Sequence, residues 1–118
     1  MSEQEQIKSG IPSEHYDEKK LLANLGLCVR AGKVIFGVPM ICDAMRRESE
    51  GTMTVFEASD TSENTHKRIA DKCKFYQIKH IQLPCSGTVL AAALGKTAHL
   101  AAIAVTEPSM SAMAEKYL

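Results

Sequence analysis

Leu25-Gly-Leu-Cys-Val-Arg-Ala-Gly-Lys-Val-Ile-Phe-Gly37 holds the end of one helix, a basic turn, a strand and the opening of a second helix. Upstream, Leu21, Leu22, Leu25, Cys28 and Val29 recur at i, i+1, i+4, i+7 and i+8, the stripe of an amphipathic helix. Asp17 is placed to cap it, because its side chain can accept from the free N–H groups of the first turn. Gly32 is placed to end it in a left-handed turn. Val34-Ile35-Phe36 reads as a short strand of β-prone residues. Gly37 and Pro39 open the next helix, with proline in the first turn, where its missing N–H costs nothing.

The same alternation continues downstream. Ile41, Ala44 and Met45 are the inward face of the second helix, predicted to end near Gly51. Met53–Ala58 is β-rich. Asp60, Thr61 or Ser62 caps a third helix, with Ile69, Cys73 and Tyr76 facing in and Lys67, Arg68, Asp71, Lys72 and Lys74 on a solvated face. His80–Leu83 is a strand, and Pro84-Cys-Ser86 leads into an Ala-rich fourth helix ending at Gly95. Leu100–Val105 is apolar throughout, the pattern of a central strand covered on both faces. Thr106 or Glu107, with Pro108, starts a last helix, apolar at Met110, Met113 and Tyr117. Helices and strands that alternate from end to end predict an α/β domain with helices on both faces of one sheet. Sites in such folds sit in loops at a sheet edge, which directs attention to Lys33–Met40, Ser59–Glu63 and Lys96–Leu100.

A chain of 118 residues is one domain with one core. The acidic start, Met1-Ser-Glu-Gln-Glu-Gln, has neither the basic nor the apolar region of a signal peptide. No apolar run approaches a membrane span, so the expectation is a cytoplasmic protein with no membrane partner. Residues 1–16 lack apolar periodicity and contain Gly10 and Pro12; they read as a flexible acidic tail ahead of a domain over 17–118. Formal net charge is zero, but residues 1–18 hold five acids against Lys8. Residues 19–118 therefore hold 13 basic and nine acidic side chains, a net of +4. The folded part is mildly basic, which permits RNA contact without demanding it.

Catalytic and metal motifs are sparse. Cys28, Cys42, Cys73 and Cys85 contain no C-x-x-C pair, which argues against a zinc knuckle; they read as small buried apolar residues. Gly26 to Gly32-Lys33 has one intervening residue too many for a phosphate loop, and Val34 stands where Ser or Thr is needed. Gly95-Lys96-Thr97 has the right ending, but Leu90 stands where the opening glycine belongs. His15, His66, His80 and His99 lie in no metal-ligand spacing, with His66 expected on the exposed side of the third helix. Cys85 with His99 is the one Cys–His pair that loops are able to bring together.

Taken as a set, Leu25–Lys33, Gly37, Ala58-Ser-Asp-Thr-Ser-Glu-Asn-Thr-His-Lys67, Asp71–Tyr76, Leu94-Gly-Lys96 and Ala102-Ile-Ala-Val-Thr-Glu-Pro108 closely resemble the L7Ae/L30e ribosomal protein family. The likeness is best to its small bacterial, YlxQ-like members and runs over about residues 18–118. It implies a three-layer α/β/α sandwich around a four-stranded mixed sheet. The activity it implies is non-catalytic RNA binding, with no metal and no cofactor. In that family the start of the second helix reads the tandem G·A pairs of a kink-turn, and the loop before the last strand closes over a flipped-out base. A helix N-terminus suits phosphate, and an apolar loop packs on an unstacked base.

Gly37 of the family pattern is kept here. The positions of its Asn, Glu and Lys are Pro39, Met40 and Asp43: no side-chain donor, no base-edge acceptor and a charge that repels phosphate. The site implied is then phosphate neutralisation by Lys33, Arg47 and Lys96, backbone contacts at Gly37 and Val38 beside Pro39 and Met40, and loop packing by Ala98, His99 and Leu100. The expected partner is a ribosomal or other structured RNA, with the ribosome itself a candidate, and the expected state is a monomer. The alternative is a protein-interaction module on the same fold, docking through an apolar Val38-Pro39-Met40 patch.

Overall fold

Ala102–Val105 is buried at all four positions, and the rest of the fold is arranged around it. The structure, a computed structural model, describes residues 14–47 and 52–118. In chain order the elements are α1 (Glu18–Arg30), β1 (Val34–Phe36), α2 (Val38–Arg47), β2 (Thr54–Glu57), α3 (Glu63–Tyr76), β3 (Lys79–Gln82), α4 (Gly87–Ala93), β4 (Ala102–Val105) and α5 (Pro108–Glu115). The sheet order is β1-β4-β2-β3. β4 runs antiparallel to both its neighbours, β1 and β2, while β2 and β3 are parallel. This is the mixed four-stranded sheet expected.

Period-two alternation divides the core into two layers. Val55, Ala102 and Ala104 face one side, with Ile41, Met45, Ile69 and Cys73 from α2 and α3. Phe56, Ile103 and Val105 face the other, with Leu21, Leu25, Leu90 and Ala114 from α1, α4 and α5. Each fully buried Val, Leu, Ile, Phe or Met side chain among them contributes about 1.5–3 kcal/mol by leaving water.

The helix starts are chemically explicit. Asp17 accepts from the Lys20 N–H at 3.1 Å, Ser86 from Val89 at 3.2 Å and Glu107 from Ser109 at 3.1 Å. Of the three candidates before α3, Ser62 is the cap, accepting from Thr65 at 3.2 Å. Asp60 and Thr61 are left to hold loops. Gly32 makes the left-handed turn after α1, at φ 73°. All four cysteines are buried and free of disulfides, as expected, and burial pushes the Cys85 thiol up to about 11.

Two expectations shift. The spacing puts Met113 on the inner face of α5, but it is 55% exposed, and Ser111 and Ala114 are the buried residues. Met110, Ala114 and Tyr117, at i, i+4 and i+7, make the stripe that packs; Met113 lies beside it. Residues 1–13 and 48–51, with most of the tail assigned to 1–16 and the predicted end of the second helix near Gly51, lie outside the described residues. Tyr16, assigned to that tail, packs against the α1 side of the core.

Phe56→Ala should cost about 3–5 kcal/mol through the cavity it leaves. Met113→Ala should stay within about 0.5 kcal/mol. Urea denaturation of the two variants checks both.

Candidate nucleic-acid interface

The strand directions decide where loops meet. β1, β2 and β3 all finish at the end of the sheet where β4 begins. The start of α2 and the segments 58–62, 83–86 and 94–101 therefore converge there. Backbone bonds tie them together. Gly37 N–H donates to the Ala102 carbonyl at 3.2 Å, Ala58 N–H to Ala101 at 2.8 Å, Ser59 N–H to Cys85 at 2.9 Å and Leu100 N–H to Gly87 at 3.2 Å.

Gly37 adopts φ 86°, a left-handed conformation that costs other residues roughly 1–2 kcal/mol. It turns the chain from β1 straight into α2, whose Ile41 N–H returns to the Gly37 carbonyl at 3.0 Å. Gly37 has no side chain with which to cap the helix. Among the described residues, the first-turn N–H groups of Val38 and Met40 have no side-chain acceptor at the positive end of the helix dipole. Pro39 and Met40 are exposed beside them, Met40 to 57%.

Across from this terminus stands the 96–100 loop. Lys96, Ala98 and His99 are exposed and Leu100 is half-buried. Lys96 Nζ lies 4.2 Å from the centre of the Phe36 ring, a cation–π contact that holds the ammonium beside the end of β1. Asp60 braces the loop from below. Its Oδ1 accepts from Gly87 N–H at 2.9 Å and lies 3.3 Å from His99 Nε2. The Gly87 N–H, against a small opposing effect of burial and with help from His99, holds the Asp60 carboxyl below the usual carboxylate range. Thr61 Oγ1 donates to the Ala58 carbonyl at 2.9 Å and lies 3.3 Å from that of Ala101. A Cβ on Gly87 would strike the His99 ring and come within 2.5 Å of the Leu100 carbonyl oxygen. Glycine there permits the close approach.

The expected site residues therefore separate. Gly37, Pro39, Met40, Lys96, Ala98, His99 and Leu100 share one end of the sheet. Lys33 does not: its carbonyl accepts from Thr106 N–H at 2.9 Å, beyond the far end of β4. The strand between puts it about 10 Å away, near Glu107. Arg47 is at the opposite end of α2, about 13 Å from its start, and its Nε lies 3.2 Å from Asp43. The Val38 side chain is buried among Ile41, Met45 and Ile69, so only its backbone faces the site. The Cys85–His99 pair is not formed, since Cys85 is buried among Leu21, Leu25 and Leu90 and His99 turns to Asp60.

Sequence spacing missed one cluster. Glu57, His66 and His80 meet between β2, α3 and β3. His66 Nδ1 lies 2.9 Å from Glu57 Oε1 and 2.8 Å from Oε2; His80 Nε2 lies 2.7 Å from Oε1. His66, expected on the exposed side of α3, is half-exposed and turns its ring onto the buried Glu57. Burial alone pushes the Glu57 carboxyl up; the hydrogen bonds from His80 and His66 outweigh that and hold it below its usual value. An acid ending a β-rich run was the signal available.

Two predictions test the brace. Gly87→Ala should displace the 96–100 loop and speed amide exchange at Leu100 and Ala101, leaving β2 protection intact; hydrogen exchange reads this. Because its folded value is depressed, Asp60 stabilises above its unfolded value of about 3.9, and that contribution is lost as pH falls through the lower folded value. Asp60→Ala should therefore destabilise at pH 7 and flatten the loss of stability below about pH 4, as urea denaturation at pH 7 and pH 3 would show.

Known proteins share the sequence pattern and the fold of this chain. The RNA-binding protein YlxQ of Enterococcus faecium is 36% identical over 67 residues, spanning 57% of this chain and 63% of that protein, under two thirds of its length. The RNA-binding protein YlxQ of Bacillus subtilis (strain 168) is 34% identical over 83 residues, spanning 70% and 79%. A solved structure of a protein with unknown function from Bacillus halodurans C superimposes with a TM-score of 0.69. It is 29% identical and the match covers 83% of this chain and 99% of that one. Residues 19–115 match the ribosomal protein L7Ae/L30e/S12e/Gadd45 family, and the chain belongs to it.

Proposed function

We infer that this protein binds structured RNA of the kink-turn type as a non-catalytic cytoplasmic partner, in ribosomal or other ribonucleoprotein context. The observation that carries the reading is the convergence of the uncapped α2 start at Gly37 with the Lys96–Leu100 loop at one end of the sheet. Backbone N–H groups of Val38 and Met40 suit a phosphate. Lys96 supplies the cation, and Ala98 and Leu100 offer an apolar surface to an unstacked base. The net +4 of residues 19–118 favours the encounter. The relatives named as RNA-binding proteins support the same partner class. With Pro39 and Met40 in the first turn of α2, recognition falls on backbone and shape more than on base edges.

Titration into a kink-turn RNA, and into the same RNA with its G·A pairs replaced, at two salt concentrations tests this. Preference for the intact RNA supports the reading. Equal, weak binding abolished by salt reduces it to phosphate attraction. No binding at low salt overturns it and favours protein docking through the exposed Pro39–Met40 surface. Lys96→Glu should weaken binding on the order of tenfold and lower the salt slope by about one. Lys33→Glu, at the other end of the sheet, should leave both nearly unchanged.

A further inference from the structure

Glu57 is the last residue of β2, and its carboxylate is fully buried. A carboxylate removed from water requires compensation. Lys or Arg is the usual partner for a buried acid, yet here it is met by two imidazoles. His66 comes from the second turn of α3 and His80 from β3, where it stands in register with Val55, two residues before Glu57 on the same sheet face. Three separate elements thus converge on one point. All three ligand atoms lie within 4.8 Å of one another.

We propose that Glu57, His66 and His80 form a binding site for a divalent d-block cation of the zinc type. Two imidazole nitrogens and one carboxylate oxygen make an N2O donor set. That set suits Zn2+, Co2+ or Ni2+ and disfavours Mg2+ and Ca2+, which require oxygen ligands. The ligands sit on secondary-structure elements, which fixes their positions better than loops would. The site reaches solvent through its histidines. The His66 side chain is 43% exposed and that of His80 18%, which gives the ion an entry path and leaves room for water as a fourth ligand.

The adjustment required around the carboxylate oxygen is small. Around a tetrahedral ion with bonds of about 2.0–2.1 Å, neighbouring ligand atoms stand roughly 3.3 Å apart. The observed separations from Glu57 Oε1, 2.7 Å to His80 Nε2 and 2.9 Å to His66 Nδ1, need to widen by about half an ångström. Proton balance is also simple. Each imidazole gives its lone pair to the ion from the nitrogen now facing Glu57 and carries its remaining proton on the opposite ring nitrogen; a doubly protonated ring releases one proton to solvent. The charge of the cluster rises from that of one carboxylate to a net +1, beneath the charged outer face of α3. The site stands independently of the RNA reading.

The test uses tag-free, EDTA-treated full-length protein titrated with Zn2+ by calorimetry and with Co2+ by absorption spectroscopy, with thermal unfolding alongside. The expected result is one ion per chain, a rise in Tm with Zn2+ but none with Mg2+, and a Co2+ spectrum without thiolate charge-transfer bands. His66→Ala and His80→Ala should each weaken Zn2+ binding on the order of tenfold or more while circular dichroism stays native. Absence of Zn2+ binding by the unsubstituted protein overturns the proposal. So does unchanged affinity in both histidine variants, or a thiolate band, which would assign the ion to cysteines. If His80→Ala fails to fold, the half-exposed His66→Ala decides alone.

Discussion

The constraint on which everything else depends is the burial of β4 on both faces. Ala102–Val105 lies between two antiparallel partners and has no side in water. A strand in that position satisfies its backbone groups through β1 and β2 and must then cover two sets of side chains. The small Ala102 and Ala104 let α2 and α3 approach one face, and the larger Ile103 and Val105 meet α1, α4 and α5 on the other. Its antiparallel course against both neighbours also brings its beginning to the end of the sheet where β1 and β2 finish. The candidate interface follows from that choice of direction.

The two ends of β4 differ in chemistry. At its start, backbone bonds from Gly37, Ala58 and Leu100, reinforced by Asp60, Thr61 and Gly87, set the loops in fixed relation. That loop cage presents an open helix start, one ammonium seated on Phe36 and a short apolar stretch. Beyond its other end Thr106 closes on the Lys33 turn, where the nearby acid Glu107 offsets the lysine. A basic residue next to a family motif is thus no guide to which end of the sheet it serves.

The Glu57 cluster adds a polar feature to the α3 side of the sheet. A buried carboxylate is tolerated because two imidazoles donate to it, and its position just before the 58–62 segment links that side of the core to the loop cage. Polar groups in such a place are costly when half-satisfied. Here both carboxylate oxygens have partners.

Element type and order were legible in the sequence because they rest on local physics. The stripe from Leu21 to Val29, the cap at Asp17, the choice of Thr106 or Glu107 before Pro108, the Gly32 turn and the apolar run to Val105 each act within a few residues. The resemblance carried by Leu25–Gly37 and Ala58–Lys67 added the family and, through it, the sheet. Met113 was misplaced because one turn of helix offers two adjacent stripes and only the packing against α1 chooses between them. Arg47, expected as a phosphate partner, stands at the far end of α2 from Gly37, and Val38, expected to contribute its backbone, turns its side chain into the core. Asp60, Gly87 and His99 are 27 or more residues apart in pairs that include Asp60, and Glu57, His66 and His80 belong to three elements. Their meeting is decided by strand direction and register, which no short-range pattern encodes. The sequence by itself determined which segments are helix and strand and which must be buried. Only the tertiary structure decided which polar groups share an end of the sheet, because that depends on how non-local strands pair.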